Sequence, residues 1–324
     1  MTRQGFTTRI FLCLAGMWVY LAIPAVIFSQ AWVQRKGDGS ITFTYQNLIG
    51  RHHFDFTGAR RKIGTDRAQS SQADFEYGIT DKLAINADVI YTASKYNGDF
   101  PEGPLDFDGR YHATFQDAHF QLRYNVTEKR LVFTPFVSVT VPTHHYETRG
   151  HNAAGRDFHE LLIGVNAGRQ LTPILPSVYV HGRYSYAILK HFTGLNLNRS
   201  NFDWEVGWSP LRKLTLRFLG AWQHTYGGLL APIEFDEPGS EKFEFHDRVL
   251  KTNYFRLGGG GTISVNKSLD IHLGYSRSVS GENGLAVGGF VAGFTWKFFK
   301  RHNISKLSGM NPSRDSPTIG EGMF

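Results

Sequence analysis

Tyr77-Gly78-Ile79-Thr80-Asp81-Lys82-Leu83 is the stretch on which the fold turns. From Leu83 onward one parity reads Leu83, Ile85, Ala87, Val89, Tyr91, Ala93, and the other reads Ala84, Asn86, Asp88, Ile90, Thr92, Ser94. A period of two held for about a dozen residues is about twice the ~5–6 residues of an ordinary soluble strand. On the other side of the turn, Ala73, Phe75 and Tyr77 alternate with Gln72, Asp74 and Glu76. A four-residue polar turn therefore joins two long strands, each apolar on one face and polar on the other. Repeated around a closed sheet, this hairpin gives a transmembrane β-barrel with lipid outside and a wet lumen inside.

Working outward, the same pattern recurs along the chain. Ile41, Phe43 and Tyr45 mark strand one, a polar and basic stretch over 50–68 reads as a loop, and strand two covers about 69–77. Strand three is 82–95, strand four 112–125, and strand five carries Val137, Val139 and Val141 up to Pro142. Strand six holds Leu161, Ile163 and Val165, and strand seven sets His181, Arg183 and Ser185 on its polar face. Strand eight alternates Phe202, Trp204, Val206 and Trp208 with Asp203, Glu205 and Gly207; a turn at 209–213 leads to strand nine with Leu214, Leu216, Phe218 and Trp222. Strands at 251–265, 269–279 and 287–298 complete about twelve, an even number as single-chain bacterial barrels require. Connections are short after the even strands and long after most odd ones, which puts the short turns in the periplasm and the long loops outside the cell. The fold class expected is all-β, a closed antiparallel transmembrane barrel. A soluble β-sandwich is the competing reading, but its strands are shorter and its outer face would not carry Trp204, Trp208, Trp222 and Trp296 near strand ends.

Composition agrees with this class. Mean hydropathy is −0.28, too low for helical spans but normal for a barrel that hides its apolar face at every second residue. The net charge of +7 is spread along the chain without a dense basic block, so no nucleic-acid partner is expected. Arg3 and Arg9 precede an uncharged run over 10–28 and then Ser29-Gln30-Ala31, the pattern of a secretory signal peptide cut after Ala31. The single cysteine, Cys13, falls in this leader. Residues 32–299 then form the barrel, and 300–324 a polar periplasmic tail read as disordered.

The turn at 77–83 with its following alternation, Tyr45-Gln46 at the end of strand one, and Ser94-Lys95-Tyr96 resemble the outer-membrane barrels assigned as transporters of the phenol-degradation meta-pathway. The resemblance covers most of 32–299, and its one sharp motif is the turn. It implies an outer-membrane protein that passes small compounds, aromatic ones among them. The tail after Phe299 departs from the usual barrel ending at a terminal aromatic.

The candidate site is the lumen. Its polar parity supplies Asn86, Asp88, Asp117, His119, Gln121, Arg123, Glu160, His181, Arg183, Asp203, Glu205, Arg217, Arg256, Asp270 and His272. Twelve strands imply a lumen between the filled interior of about eight and the open channel of about 16–18. Charges of both signs point to polar or weakly charged small-molecule solutes. If Trp208 and Leu214 flank the turn, Glu205 and Arg217 are direct cross-strand neighbours and pair.

Enzymatic barrels need more than this chain offers. A serine beside a histidine on the outer face would mark a phospholipase, yet no His-x-Ser occurs on these strands. Asp157, His159 and Glu160 come closest to a protease site, but adjacent strand residues point to opposite faces. No enzyme activity and no cofactor are expected. Gly258 to Gly261 lacks the Lys-Ser/Thr of a phosphate loop and reads as a close strand contact. The other partners expected are outer-membrane lipid and lipopolysaccharide; outer-loop acids such as Glu234, Asp236 and Glu241 offer oxygen ligands for Ca²⁺ or a divalent bridge to lipopolysaccharide, but without calcium-loop spacing they read first as a solvated loop. Most of the 14 histidines fall in outer loops, where His144, His145 and His151 are the candidates for a metal site. Protonation of that rim near pH ~6 would add positive charge at the mouth.

Overall fold

In the computed structural model, residues 31–62, 64–98, 104–128, 131–150, 153–230 and 245–299 are described. Twelve long strands make the wall: β1 Gly39–Phe54, β2 Thr65–Gly78, β3 Leu83–Asn97, β4 His112–Tyr124, β5 Val132–Pro142 and β6 Glu160–Gln170. They continue as β7 Val178–Leu189, β8 Arg199–Leu211, β9 Leu214–Thr225, β10 Asn253–Asn266, β11 Leu269–Glu282 and β12 Gly284–Phe298. Each strand pairs antiparallel with its neighbours in sequence, and β12 pairs with β1 from Gly39↔Phe298 to Phe54↔Gly284, which closes the sheet. Closure satisfies the edge hydrogen bonds that an open sheet would leave bare in lipid.

Burial follows the period of two. On β1, Phe43 and Tyr45 are exposed while Thr42 and Thr44, which alternate with them, are buried. Exposed Phe120, Leu122 and Tyr124 on β4 flank buried Gln121 and Arg123 in the same way. The apolar residues therefore face outward and the polar ones inward, the reverse of a soluble protein. Aromatic neighbours on the outer face meet across strands: Phe43 and Phe294 at 5.3 Å, Tyr91 and Phe115 at 5.1 Å, Trp204 and Phe218 at 5.2 Å. Such pairs contribute roughly 0.2–1 kcal/mol each. Among the described residues no helix is long and apolar enough to cross a membrane; the crossing is made by strands.

The stretch that set the fold closes as a tight turn. Thr80 Oγ1 accepts from the backbone N–H of Lys82 at 3.2 Å and of Leu83 at 2.9 Å, and the Ile79 N–H donates to the Leu83 carbonyl at 2.8 Å. A hydroxyl that caps two amides locally is what the Thr in this turn supplies.

Three sequence expectations change. The stretch at 50–68 is largely strand: β1 runs on to Phe54, β2 begins at Thr65, and Arg60–Arg61 add a two-residue ribbon beside His53 and Phe54. Above the lipid a strand needs no apolar face, so its charge disguises it. Asp55 holds the tip by accepting from the Thr57 hydroxyl at 2.6 Å, the Thr57 N–H at 2.8 Å and the Ala59 N–H at 3.0 Å. Thr57 and Arg61 together hold the Asp55 carboxyl well below the usual carboxylate range. The turn placed at 209–213 is only Arg212-Lys213, and a bulge between Leu214 and Leu216 sets the register that follows. Glu205 therefore stands opposite Leu219 and Arg217 opposite Gly207, so the two are diagonal rather than direct neighbours. Finally, β12 starts at Gly284, after the single connecting residue Asn283. The leader up to Gln30 and the tail from Lys300 lie outside the described residues.

A closed ladder of this kind resists detergent. Folded protein is expected to migrate faster than boiled protein on a detergent gel; identical mobility would contradict closure.

Candidate functional site

The inner face of the wall is polar, and much of it is buried. At the periplasmic end the reason is the chain itself. Ala31 is 0% exposed, its carbonyl accepts from Thr134 Oγ1 of β5 at 2.5 Å, and the Trp32 ring meets Tyr179 of β7 edge-on at 6.1 Å. Between them, on β6, a Cβ at Gly168 would stand 2.7 Å from that of Ala31 and 2.8 Å from the Trp32 ring. A few residues later the same segment lies against β2, where a Cβ at Gly78 would collide with the Arg35 carbonyl oxygen. The Gly37 N–H donates to the Gly78 carbonyl at 2.8 Å, and the Lys36 N–H to Asp81 Oδ1 at 3.1 Å. In a closed ring of twelve, β6 is about half a turn from β1. Residues 31–38 therefore cross the lumen as a strap, and two glycines make room for its ends.

Two ionic clusters flank the strap. On the β2–β4 wall, Arg123 is 1% exposed and its guanidinium donates to Glu76 Oε1. Beside them Asn86 Nδ2 donates to both oxygens of Asp74, at 3.2 and 3.0 Å. Asp88 Oδ1 receives Gln72 at 3.1 Å and stands 2.8 Å from His119 Nδ1. Across the lumen the Tyr179 hydroxyl donates to Glu205 Oε1, Arg217 Nη1 lies 3.9 Å from Glu205 Oε2, and Arg217 Nη2 donates to Thr262 Oγ1 at 2.5 Å. The Glu205–Arg217 pair thus forms diagonally, despite the shifted register.

The remaining candidates spread around the same face. Gln121, His181 and His272 are buried. The Arg183 guanidinium lies 4.1 Å from the Phe136 ring, and that of Arg256 4.3 Å from the Tyr254 ring. Asp203 is half-buried on β8, and Asp270 receives Lys297 Nζ at 2.7 Å. Nearer the outer end, Glu160 Oε2 takes Arg199 Nη2 at 2.5 Å and Asp117 Oδ1 takes the Tyr146 hydroxyl at 2.8 Å.

Above these the loops after β5, β7 and β9 knit into a cap. Phe158, Leu189, Leu197, Leu229 and Val249 form a small apolar core of their own, with Val249 on the one-turn helix α1 His246–Val249. Arg248 fastens it: its guanidinium lies 4.4 Å from the Phe158 ring and 4.2 Å from that of Phe192, while Nη2 donates to the Asp157 carbonyl at 2.5 Å. The Asp157 N–H in turn donates to the Tyr146 hydroxyl at 3.0 Å, which links the cap to Asp117 inside the wall. Arg156 on this loop is half-buried, and desolvation together with nearby Arg199 pushes its guanidinium down to about 10. An open cleft of ≈ 520 Å³ is lined by Tyr146, Glu147, Arg149, Asp157, Phe245 and Arg248 among others. Arg149 holds the Glu147 carboxyl below its usual range.

Of the three metal candidates, His144 and His145 are described and take different partners. His144 has its two ring nitrogens 2.9 Å from Thr114 Oγ1 and 3.0 Å from Thr143 Oγ1, and His145 Nδ1 is 3.1 Å from Asp157 Oδ2. His151 lies outside the described residues, as do Glu234, Asp236 and Glu241. No group of three or more His, Cys, Asp or Glu suited to a metal occurs among those described. A cross-strand pair that a search along single strands misses is Ser200 and His224. The Ser200 hydroxyl sits 2.9 Å from the Tyr184 and Tyr226 hydroxyls, and the His224 ring stacks on Trp222. These are girdle contacts.

A closed barrel of twelve strands, apolar outside and polar inside, with short turns on one rim and long loops on the other, is an outer-membrane β-barrel. No protein-family model matches the chain, and no curated protein is similar to it. Among solved structures it resembles the COG4313 outer membrane channel from Pseudomonas putida F1, with a TM-score of 0.66 and 11% identity over 85% of this chain and 100% of that one. The β domain of the Bordetella autotransporter BrkA follows at 0.49, with 9% identity over 81% and 100% of the two chains. The P. putida toluene transporter TodX gives 0.45, with 10% identity over 85% and 95%. At these identities the likeness to the first is one of fold, and the other two carry no argument.

Proposed function

We propose that this barrel is a passive outer-membrane channel for small polar or weakly charged solutes, with the strap at 32–38 as its periplasmic constriction. The observation that carries the reading is a polar, ion-paired inner wall in a closed barrel whose lumen, among the described residues, is crossed near its periplasmic end by a short strap of chain. Of the two clusters, His119 is the side chain most open to a solute, while Asp88, Glu205 and Arg217 are largely buried and shape the wall behind it. The first cluster sets three carboxylates against Arg123 and His119 and the second balances Glu205 with Arg217, so both signs line the wall and discrimination is chiefly by size and hydrogen bonding. Aromatic compounds enter as a substrate class through the sequence resemblance. Export would remove the leader after Ala31 and leave Trp32 at the tip of the strap.

A second reading is a plugged barrel that serves through its loops, favoured by the cap that Arg248 fastens. Planar-bilayer recording separates the two. Pure wild-type protein is expected to give discrete single-channel steps smaller than those of wide porins. Complete absence of steps, both from the wild type and from a variant lacking 32–36, would leave the plugged reading.

A further inference from the structure

We propose that the lipid-facing side of β11, β12, β1, β2 and β3 carries a binding site for the bisphosphorylated headgroup of an outer-leaflet glycolipid, a site that rests on the outer-membrane reading above. The strand register aligns Arg277, Gly288, Ile49, Arg67 and Lys95 in one unbroken cross-strand row. All five share the parity of the exposed aromatics, so the row faces the membrane and not the lumen. One step down the same strands stand Tyr275 and Phe290, with rings 4.9 Å apart, and below them exposed Leu273 and Ile271. Arg277 and Lys95 thus stand directly above apolar and aromatic residues on the long-loop side, while under Arg67 the same face passes through Gln69 and Ser71 before Ala73 and Phe75.

The height is right for a headgroup. About ten residues separate Arg67 from Tyr77 near the periplasmic end of β2. At ~3.4 Å per residue and a ~40° tilt they rise ~26 Å, against an apolar band of ~25 Å. Because the strands tilt, the row climbs around the wall, with Arg277 at its low end and Lys95 at its high end. Long cationic side chains at such a border bury their stems and keep their charge among headgroups.

The contacts these cations make are with neutral groups. Arg67 Nε donates to the amide oxygen of Asn47 at 3.1 Å, and Lys95 Nζ lies 5.0 Å from the Tyr111 ring. Arg277 is exposed. Arg60 adds a cation above Arg277, anchored on the Phe54 ring at 5.3 Å and donating to the Val279 carbonyl at 3.3 Å. The acids nearest in the same strands look elsewhere: Asp66 is 3.2 Å from His53, and Asp55 is taken by Arg61 at 2.9 Å. Arg277 and Arg67 are three strand spacings apart, ~14 Å at ~4.8 Å each. That separation suits a disaccharide with a phosphate at each end; between the two poles the Tyr275 hydroxyl fills the place of a side chain at Gly288 and offers the sugar a hydrogen-bonding group.

The test uses full-length, delipidated protein in detergent that still shows the boiling shift, titrated by native mass spectrometry with bisphosphorylated lipid A, dephosphorylated lipid A and phosphatidylglycerol. Wild type is expected to prefer bisphosphorylated lipid A. The variant Arg67→Gln/Lys95→Gln/Arg277→Gln should bind it more weakly by about fivefold per cation, on the order of 100-fold in all. A charge-matched control at the periplasmic turns, Arg212→Gln/Lys213→Gln/Lys267→Gln, should bind like wild type. Equal binding by wild type and the row variant, equal loss in the control, or equal affinity for either comparison lipid overturns the site. Loss of the boiling shift in the wild type would instead count against the barrel.

Discussion

Replacing Arg123 with leucine should lower the unfolding free energy of the barrel by about 3–5 kcal/mol, the cost typical of stranding one member of a buried ion pair. The Arg123 side chain is 2% exposed and pairs with Glu76. It stands opposite Ala84, which is 0% exposed and small enough to let the guanidinium pass over β3 to β2. Without it, Asp74, Glu76 and Asp88 share one wall with His119 as the nearest cationic partner. The double variant Glu76→Leu/Arg123→Leu is expected to recover most of the loss, because removing both charges also removes their desolvation. Urea unfolding in detergent micelles, read by the boiling shift, measures the two variants against wild type. A single-variant loss under about 1 kcal/mol would show that this pair behaves like an exposed one.

Much of this architecture is legible in the sequence because lipid imposes a strict rule. Every spanning strand must turn an apolar residue outward at alternate positions, so Leu83 to Ala93 or Phe290 to Trp296 show the wall directly. The rule lapses where lipid ends, and there the reading fails: Arg51, His52 and Arg67 are on strands but look like loop. It also says nothing about bulges. A tighter turn and one bulge place Glu205 opposite Leu219 instead of Arg217, and the ion pair survives because long side chains reach diagonally. Gln72, Asp74 and Glu76 are visible on the polar parity of β2, yet their place in a network with Asn86, Asp88 and Arg123 needs the register. The strap has no comparable signal. Trp32 to Asp38 shows no period, and what places it is a set of partners far along the chain: Gly78, Thr134, Gly168 and Tyr179. The cap around Arg248 is hidden for the same reason.

Opening the strap should raise single-channel conductance severalfold without weakening the barrel. Residues 31–38 bridge the β5–β7 wall and the β2–β3 turn, so displacing one end removes a crossbar from the lumen while the strand ladder stays intact. Two substitutions reach the same end by opposite means. Trp32→Ala deletes the ring that meets Tyr179 and lets the tip swing free. Gly168→Val leaves the strap unchanged but inserts a side chain where even a Cβ comes within 2.8 Å of the Trp32 ring, so the tip must move away. With the other end fixed by the Gly37–Gly78 and Gly78–Asp38 hydrogen bonds, movement of the Trp32 end alone should appear in the wild type as brief transitions to a larger conductance. Both variants should keep the boiling shift. They should also admit larger neutral sugars in liposome-swelling assays, since the constriction selects by size before it selects by charge. A rise in only one variant would belong to that residue; a rise in both assigns the effect to the strap they share. Unchanged conductance and an unchanged size limit in both would move the constriction outward, to Arg156, Glu160 and Arg199 beneath the cap.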